Sequence, residues 1–593
     1  MRSRLSCRGV LILGACIVPK IVFLKIDNFR SIKEFSWKPG QGMNCLVGGG
    51  DSGKTTVLDA IDFCLGARRS AQFSDYDFHK TDTNEPIKIL VALGALESSL
   101  LSMDAYGDYF CGYHQTTGKF EPEPGHGLET ILVLQLKVEK DLEPHWSLLS
   151  QRAKAKGVER NLRWEDRQNA SPLRLGDHPD WHLSWRRGAL FERLTDEKLA
   201  LNDGLSDAAR KARADFGSSA NKELTDNLDT VQKSANELGV PTSGQVNALL
   251  DAKSVKFGTG AIALHDANNI PLSSLGTGSK RLLVAGLARK VATSASISLV
   301  DEFETGLEPH RIRSLLNTLG AKDVTVTQQV FATTHSPVVL RELNHTQLTL
   351  LRSDQTNGKH EAIAASECAQ GLLRSNPEAF LAKRIIVCEG KSEMGFIRGF
   401  DQHSCATGNV SMEALGTVLV DGGGAQKVLA PANELLRLGY NVSIFMDSDV
   451  PLETTDEQAF VSAGGTVFKW PNSRALEDTI FQCVAGPVVE KLLDYACTLP
   501  KGDKVDAQIS TASNNLFNLA QAKAWANTNT LRPEHAVILG QAARSGKGWF
   551  KQVAPYEHIT KNILAPQWAS LNSDLTSTTT SLMDWAWGKH DRA

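Results

Sequence analysis

The stretch CLVGGGDSGKTTVLDAIDFCLG, residues 45–66, constrains this chain more than any other. An apolar run stops at a glycine-rich turn, and a helix with apolar periodicity follows. Gly48, Gly53, Lys54 and Thr55 fit the pattern GxxxxGK[ST], with Gly50, Ser52 and Thr56 completing the loop. Glycines carry no Cβ, so their backbone N–H groups can wrap phosphate oxygens, and the helix N-terminus adds its dipole. Lys54 is placed to reach the β- and γ-phosphates, and Thr55 to bind Mg²⁺. The segment commits its part of the chain to an α/β nucleotide-binding fold.

Three further segments carry the same chemistry. ISLVDEFETGLEP ends an apolar strand in Asp301 and Glu302. The first is placed to hold Mg²⁺ through water, the second to polarise an attacking water. PLSSLGTGSKR opens a helical pattern with Gly276, Gly278 and Ser279, whose backbone could donate to a phosphate. VFATTHSPVVL ends a buried strand at His335, a candidate γ-phosphate sensor.

The order NFR, GxxxxGKT, LGTGS, DE and THS resembles the ABC-type ATPases of the SMC and RecF group. That resemblance implies ATP sandwiched between the phosphate loop of one protomer and Gly278 or Ser279 of another, hence a homodimer or homotetramer. LGTGS departs from the LSGGQ signature, and the Q-loop glutamine has two candidates, Gln72 and Gln135. No sustained heptad pattern fills the roughly 220 residues between loop and signature. Instead, residues from about 145 to 250 read as a helical insertion, whose part from about 190 to 245 reads as a dimerisation module or a solvated helical hairpin. RAKAKGVERNLRWEDR supplies Arg152, Lys154, Lys156, Arg160, Arg163 and Arg167, a run that could meet phosphates or be a solvated face.

A length of 593 residues implies several domains, and a net charge of −3 requires any DNA-binding surface to be a local basic patch. Ten scattered cysteines with no CxxC read as reduced thiols of a cytoplasmic protein. VLILGACIV, after Arg2, Arg4 and Arg8, imitates a signal peptide but is too short to span a bilayer. It leads into IVFLKIDNFRSI, so residues 1–20 read as an N-terminal extension or the product of a start codon placed too far upstream. No membrane association is expected.

Beyond the polar stretch from Asp354 to Pro377 a second α/β pattern begins. KRIIVCEGKSE, VLVDGGG, NVSIFMDSD and GGTVFKWP read as strands with helices between them. Glu389, Asp447 and Asp449 each follow an apolar run, which places carboxylates at the C-terminal edge of a parallel sheet, where such sheets collect ligands. Three converging carboxylates would suit Mg²⁺ or Mn²⁺. Asp421 ends another strand and would serve the site or cap its turn.

These acids resemble the Toprim domain of topoisomerases, primases and some nucleases. An ABC-type ATPase followed by Toprim resembles the OLD (overcoming lysogenization defect) nucleases. The expected organisation is therefore an extension (1–20), an ABC-type ATPase domain (21–375) and a Toprim domain with helical C-terminal part (376–593). The resemblance adds Glu393 and Glu477 as ligands of a second metal and Lys547, with Lys551 as runner-up, as the lysine balancing charge on the cleaved phosphate. It implies an ATP-controlled endonuclease acting on DNA in antiphage defence, either alone or as a Gabija-type subunit with a UvrD-like helicase. Two rivals stay open: a RecF- or SMC-like DNA-clamping ATPase without nuclease activity, and a Toprim nuclease cutting RNA or tRNA.

Overall fold

The computed structural model describes residues 19–175, 179–183, 190, 201–238, 240–250, 262–290, 297–354, 356–546 and 548–589. The chain forms two compact units: Met1–Cys45 with Thr55–Thr334, and Leu46–Lys54 with His335–Ala593. Both are built from helices and strands, as the α/β reading required. Among the described residues, no helix is long and apolar enough to cross a membrane.

In the first unit, seven antiparallel strands form one sheet: β1 (Lys20–Phe29), β2 (Ile32–Trp37), β4 (Ile87–Gly94), β5 (Phe110–Tyr113), β6 (Phe120–Glu121), β7 (Glu129–Val138) and β8 (Pro144–Leu149). β3 (Met43–Val47) is buried throughout and runs across the division between the units. From Glu34 to Trp37 of β2, Phe35 and Trp37 are buried while Glu34 and Ser36 are exposed, so one face of this part of the strand packs inward. The NFR motif closes the β1–β2 hairpin, with Phe29 opposite Ile32. Arg30 sits there at φ 50°, a conformation costly for a residue with a Cβ, and its N–H donates to Asp77 O at 2.7 Å.

The same unit holds three parallel strands, β9 (Leu173–Leu175), β10 (Ile297–Val300) and β11 (Gln329–Thr333), with β10 in the middle. Helix α1 (Lys54–Leu65) follows the phosphate loop. The helical insertion is represented by α2 (Leu201–Glu223) and α3 (Thr225–Glu237), both polar and largely exposed. α4 (Thr277–Lys290) and α5 (Pro309–Thr318) complete the unit.

The basic run is largely spent on structure. Arg152 donates to the carbonyls of Gly107 and Phe110, Arg160 to that of Ala105, and Lys156 pairs with Asp108. Arg167 is buried, donates to Gly66 O and lies over the Trp146 ring. Exposed Lys154 and Arg163 remain as outward charges.

The second unit begins with an antiparallel pair, β12 (Leu348–Ser353) and β13 (His360–Ala364). A four-stranded, wholly parallel sheet follows, in the order β15 (Thr417–Asp421), β14 (Arg384–Cys388), β16 (Asn441–Met446), β17 (Thr466–Lys469). Helices α6 (Lys391–Ala406), α7 (Leu429–Arg437) and α8 (Thr454–Ser462) connect these strands, as parallel pairing requires. The rest is helical: α9 (Leu476–Cys483), α10 (Gly486–Thr498), α11 (Val505–Ala512), α12 (Leu519–Asn527), α13 (Pro533–Arg544), α14 (Val553–Ile559) and α15 (Ser573–Ala586).

Trp470 packs edge-to-face on Phe396 and Phe445 in this core, with centroids 5.6 and 5.3 Å apart. Two close helix approaches set the site. A Cβ on Gly395 or Gly399 of α6 would meet the carbonyl oxygens of Val553 or Glu557 on α14 at 2.4 and 2.5 Å. A Cβ on Gly540 of α13 would meet Asp478 Oδ1 at 2.7 Å, so only glycine lets α13 lie this close to α9.

Candidate functional site

At the phosphate loop, Gly48 has no room for a side chain: a Cβ would lie 2.5 Å from Leu351 O and 2.7 Å from Ser52 Oγ. Gly53 adopts φ 85° and Asp51 φ 58°, which turns the chain into α1. Gly49 and Gly50 border open space, leaving their backbone accessible. Buried Lys54 donates from Nζ to Gly49 O (2.9 Å), Gly48 O (3.1 Å) and Ser52 Oγ (3.4 Å), so the ammonium is held at the loop it would serve. Thr56 is buried on the first turn of α1.

The structure brings Thr55 and Asp301 together. Thr55 Oγ1 donates to Asp301 Oδ1 at 3.3 Å, and Thr333 Oγ1 donates to the same oxygen at 2.6 Å. Glu302 follows at φ 44°, a left-handed backbone costing on the order of 1–3 kcal/mol in a non-glycine residue. It is held from both sides: its N–H donates to Thr333 Oγ1 at 2.8 Å, and its carbonyl accepts from Arg281 at 3.1 Å. Its exposed carboxylate accepts from Thr305 Oγ1 at 3.1 Å. His335 stands exposed two residues beyond β11. Of the Q-loop candidates, Gln135 sits within β7 opposite Leu90 and Ser147, whereas Gln72 lines a surface cavity of about 500 Å³ with Phe73 and Asp77.

In the signature segment, α4 begins at Thr277. Gly278 is buried, and a Cβ there would lie 2.2 Å from Gly306 O; Ser279 Oγ accepts from Arg311 at 2.9 Å. Both are engaged within their own chain. The outward positions are Gly276 and Thr277, and Gly276 has no heavy atom within 4 Å of an added Cβ.

Sequence reasoning missed the arginines that bind these parts together. Arg174 of β9 contacts Asp59 Oδ1 at 2.5 Å, Asp62 at 3.7 Å and Asp301 Oδ2 at 3.8 Å. Arg30 reaches the other oxygen of Asp59 and also Asp77, at 2.9 Å from its Nε. Arg281 of α4 caps the carbonyls of Asp301 (2.9 Å), Glu302 (3.1 Å) and Thr305 (2.8 Å). A lone arginine in a strand has no sequence pattern, so only three-dimensional proximity identifies Arg174.

The acids of the second unit lie at the C-terminal edges of adjacent strands β14 and β16. Glu389 continues the ladder, its N–H donating to Phe445 O at 2.9 Å, while its Oε2 accepts from Asp447 N at 3.0 Å. Glu393, on the first turn of α6, accepts from Gly390 N at 2.8 Å. Asp447 Oδ1 accepts from Leu476 N at 2.9 Å, at the start of α9, where Glu477 is the next residue. Asp449 instead turns to Arg544, at 2.9 Å, which also lies 3.4 Å from Asp478. Asp421 accepts from Gly423 N at 3.0 Å and so caps its own turn.

Burial and mutual repulsion raise the pKa of these carboxyls. Burial pushes Glu393 up to about 8, helped by the charges of Glu389 and Glu477. Asp447 is held well above the usual range by burial and then by Glu393, Glu389, Glu477 and Asp449. Glu389 and Glu477 are raised chiefly by burial; Lys551 opposes the rise at Glu477. The buried Tyr556 hydroxyl lies beside Glu477 and favours its ionisation, while burial and then the charges of Glu477, Glu393 and Asp447 hold the tyrosine well above its usual range. Among the described residues, no three acid, histidine or cysteine side chains stand together as a ready metal-binding group. Lys547 lies outside the described residues. Arg544, Tyr556 and Asp478 belong to the neighbourhood of the acids and were not foreseen.

Residues 24–99 match the family model described as "AAA domain", and residues 137–341 that described as "AAA domain, putative AbiEii toxin, Type IV TA system". The chain thus carries AAA-family ATPase domains, with the phosphate loop in the first match and Gly276–Ser279, Asp301, Glu302 and His335 in the second. ATP binding and hydrolysis are the chemistry of these segments. Both matches end before β14. A 41-residue stretch is 44% identical to the DNA replication and repair protein RecF of Prosthecochloris aestuarii, covering 7% of this chain and 11% of that protein. The chain therefore spans about a tenth of the length of that curated relative.

Among solved structures, the Smc head domain with an extended coiled coil bound to the C-terminal domain of ScpA, from Pyrococcus furiosus, is 14% identical. It covers 60% of this chain and 99% of its own, with a TM-score of 0.34. The SMC head domain from Thermotoga maritima is 11% identical, covering 58% and 99%, with a TM-score of 0.28.

Proposed function

We propose that this protein is an ATP-regulated, metal-dependent endonuclease that cuts DNA at the Glu389–Asp447 site while its AAA-type segments bind and hydrolyse ATP as a homodimer. The observation that carries the reading is that Glu389 and Asp447, at the ends of two adjacent parallel strands, feel the charges of Glu393 on α6 and Glu477 on α9. Stacked, buried carboxylates are unfavourable unless a cation joins them, and functional sites are where such arrangements persist.

The donor set suits a hard divalent cation such as Mg²⁺ or Mn²⁺, because every donor is a carboxylate oxygen and the buried acids raise one another's pKa. Glu389, Glu393, Asp447, Asp449 and Glu477 are the residues that would hold it. When bound, the cation supplies an activated water and draws charge from phosphate oxygens. Lys551, acting on Glu477, and Arg544, on Asp449, are the described cations beside the acids and would orient the phosphodiester. Lys547 remains the proposed lysine for the developing negative charge.

The test is cleavage of plasmid and oligonucleotide DNA by purified protein in Mg²⁺ or Mn²⁺, with EDTA as control. Glu389→Ala should lose cleavage and keep ATP hydrolysis; undiminished cutting by that variant would refute the assignment. A second reading, a DNA-clamping ATPase without nuclease activity, draws on the pairing of Asp449 with Arg544 and on the acids not standing in a ready ligand group. It predicts metal-independent DNA binding and no cleavage by the wild-type protein.

A further inference from the structure

We propose that the cavity between α10, α11 and the loop after α13 receives a backbone phosphate of the nucleic acid strand, on one side of the bond to be cut. The proposal rests on the nuclease reading above. The cavity has a volume of about 310 Å³ and is lined by Lys501, Lys504, Gln508, Gly546, Gly548 and Trp549 over an apolar floor that includes Val505. Lys501 and Lys504 are exposed, and neither makes an ion pair among the described residues. Asp503, between them in sequence, does not line the cavity.

The wall opposite the lysines is fixed. Gln508 Nε2 donates to Ser545 O (3.3 Å) and Oγ (3.2 Å), and Gln508 Oε1 accepts from Trp549 Nε1 at 2.9 Å. Gly548 N–H donates to Ser545 O and Trp549 N–H to Ala543 O, both at 2.9 Å. Gly546 and Gly548 take φ of 60° and 61°, which lets the loop fold back on α13.

This wall begins at Ser545, directly after Arg544, whose guanidinium holds Asp449. The cavity wall and the partner of Asp449 are therefore adjacent in the chain, at Ser545 and Arg544. Two unpaired ammonium groups above an apolar floor suit a ligand with a negative group on a less polar body, which is the repeating unit of a sugar–phosphate backbone. Trp549 is only 8% exposed, so it shapes the wall rather than offering a stacking face. Recognition is accordingly of the backbone and not of a base.

The experiment uses full-length protein and a fluorescent oligonucleotide, with binding measured in EDTA across a salt series. Each neutralised phosphate contributes about 0.7–0.9 to the slope of log affinity against log salt, so Lys501→Glu with Lys504→Glu, which loses this one phosphate, should lower the slope by about 0.7–0.9. The KM for cleavage should rise more than kcat falls. A charge-matched control, Lys119→Glu with Lys140→Glu in the first unit, should leave the slope unchanged. Lys504→Gln, with a smaller loss of slope, replaces the double variant if that one melts early.

An unchanged slope in the double variant, an equal loss in the control, or absence of strand binding by the wild type overturns the proposal. So does competition by inorganic phosphate or a mononucleotide as effective as that by the strand, since the cavity would then serve a free ligand. Failure of the nuclease reading has a different signature: the wild type binds with the full salt slope but never cuts.

Discussion

The two acid-rich sites of this protein treat charge in opposite ways. Around the phosphate loop and Asp301, the acids Asp59, Asp62, Asp77 and Asp301 are met by Arg30, Arg68 and Arg174, and Thr55 and Thr333 donate to Asp301. At the β14–β16 edge, Glu389, Glu393, Asp447 and Glu477 repel one another in a buried space, and Lys551 eases the strain on Glu477. The first arrangement is satisfied by the protein itself; the second holds unfavourable energy until a positive charge arrives. Substitutions should therefore damage the first site and, in the absence of metal, relieve the second.

The largest effect expected is on ATP turnover. Lys54→Ala removes the ammonium seated at Gly48 and Gly49, and should lower ATP hydrolysis by on the order of a thousandfold, as loss of a phosphate-clamping charge does. Glu302→Gln should keep ATP binding, measured with a fluorescent nucleotide, while losing hydrolysis. Wild-type turnover by the Lys54 variant would remove the phosphate loop from the catalytic assignment.

Next comes the sign reversal between the sites. Glu393→Gln should raise the stability of the metal-free protein at pH 8 by about 1–3 kcal/mol, because it removes a buried carboxyl amid like charges. The folded-state pKa of Glu393, about 8, lies above its ordinary 4.5. The unfolded chain ionises first, so the cost to stability builds as pH rises from about 4.5 to about 8 and is complete above that, and the advantage of glutamine should shrink as pH falls toward 5. Melting curves at both pH values, with and without Mn²⁺, check this; a destabilised variant at pH 8 would mean the acids are compensated after all. Arg174→Ala should do the reverse, costing about 1–3 kcal/mol by leaving Asp59 and Asp62 short of a partner and slowing ATP hydrolysis. Arg174→Lys should restore most of the stability but less of the turnover, since a single ammonium cannot span Asp59 and Asp301 as a guanidinium does.

Legibility in the sequence followed the same divide. Contiguous motifs were readable: Gly48–Thr56, Asp301–Glu302 and the alternation of strands and helices around Glu389 and Asp447 all lie where chain direction alone places them. Groups that meet through tertiary packing were not. Arg174 is joined to Asp301 only by the parallel pairing of β9 with β10, and Arg544 reaches Asp449 because Gly540 lets α13 lie against α9. Likewise the basic run 152–167 reads as a surface, yet four of its charges bind backbone carbonyls or an acid of their own unit. A charged side chain's destination is set by neighbours that are distant in sequence.

The smallest effect expected asks whether the compensated site is complete within one chain. Gly278 and Ser279 face inward, so a partner's nucleotide would meet Gly276 and Thr277 at the start of α4, where helix N–H groups are unpaired by geometry. Gly276→Arg places a long cation at that outward point without a steric conflict in its own fold, since nothing lies within 4 Å of the new Cβ. Alone, it should block hydrolysis in a shared site, and Lys54→Ala should block it from the other side. Mixed in equal amounts, half the dimers are hybrids with one intact site of two, so turnover should return to about a quarter of wild type. Silence in the mixture, with hybrid dimers shown by differential tagging, would make each chain's ATP site self-sufficient, and the charge compensation around Asp301 would then be the whole of its preparation for hydrolysis.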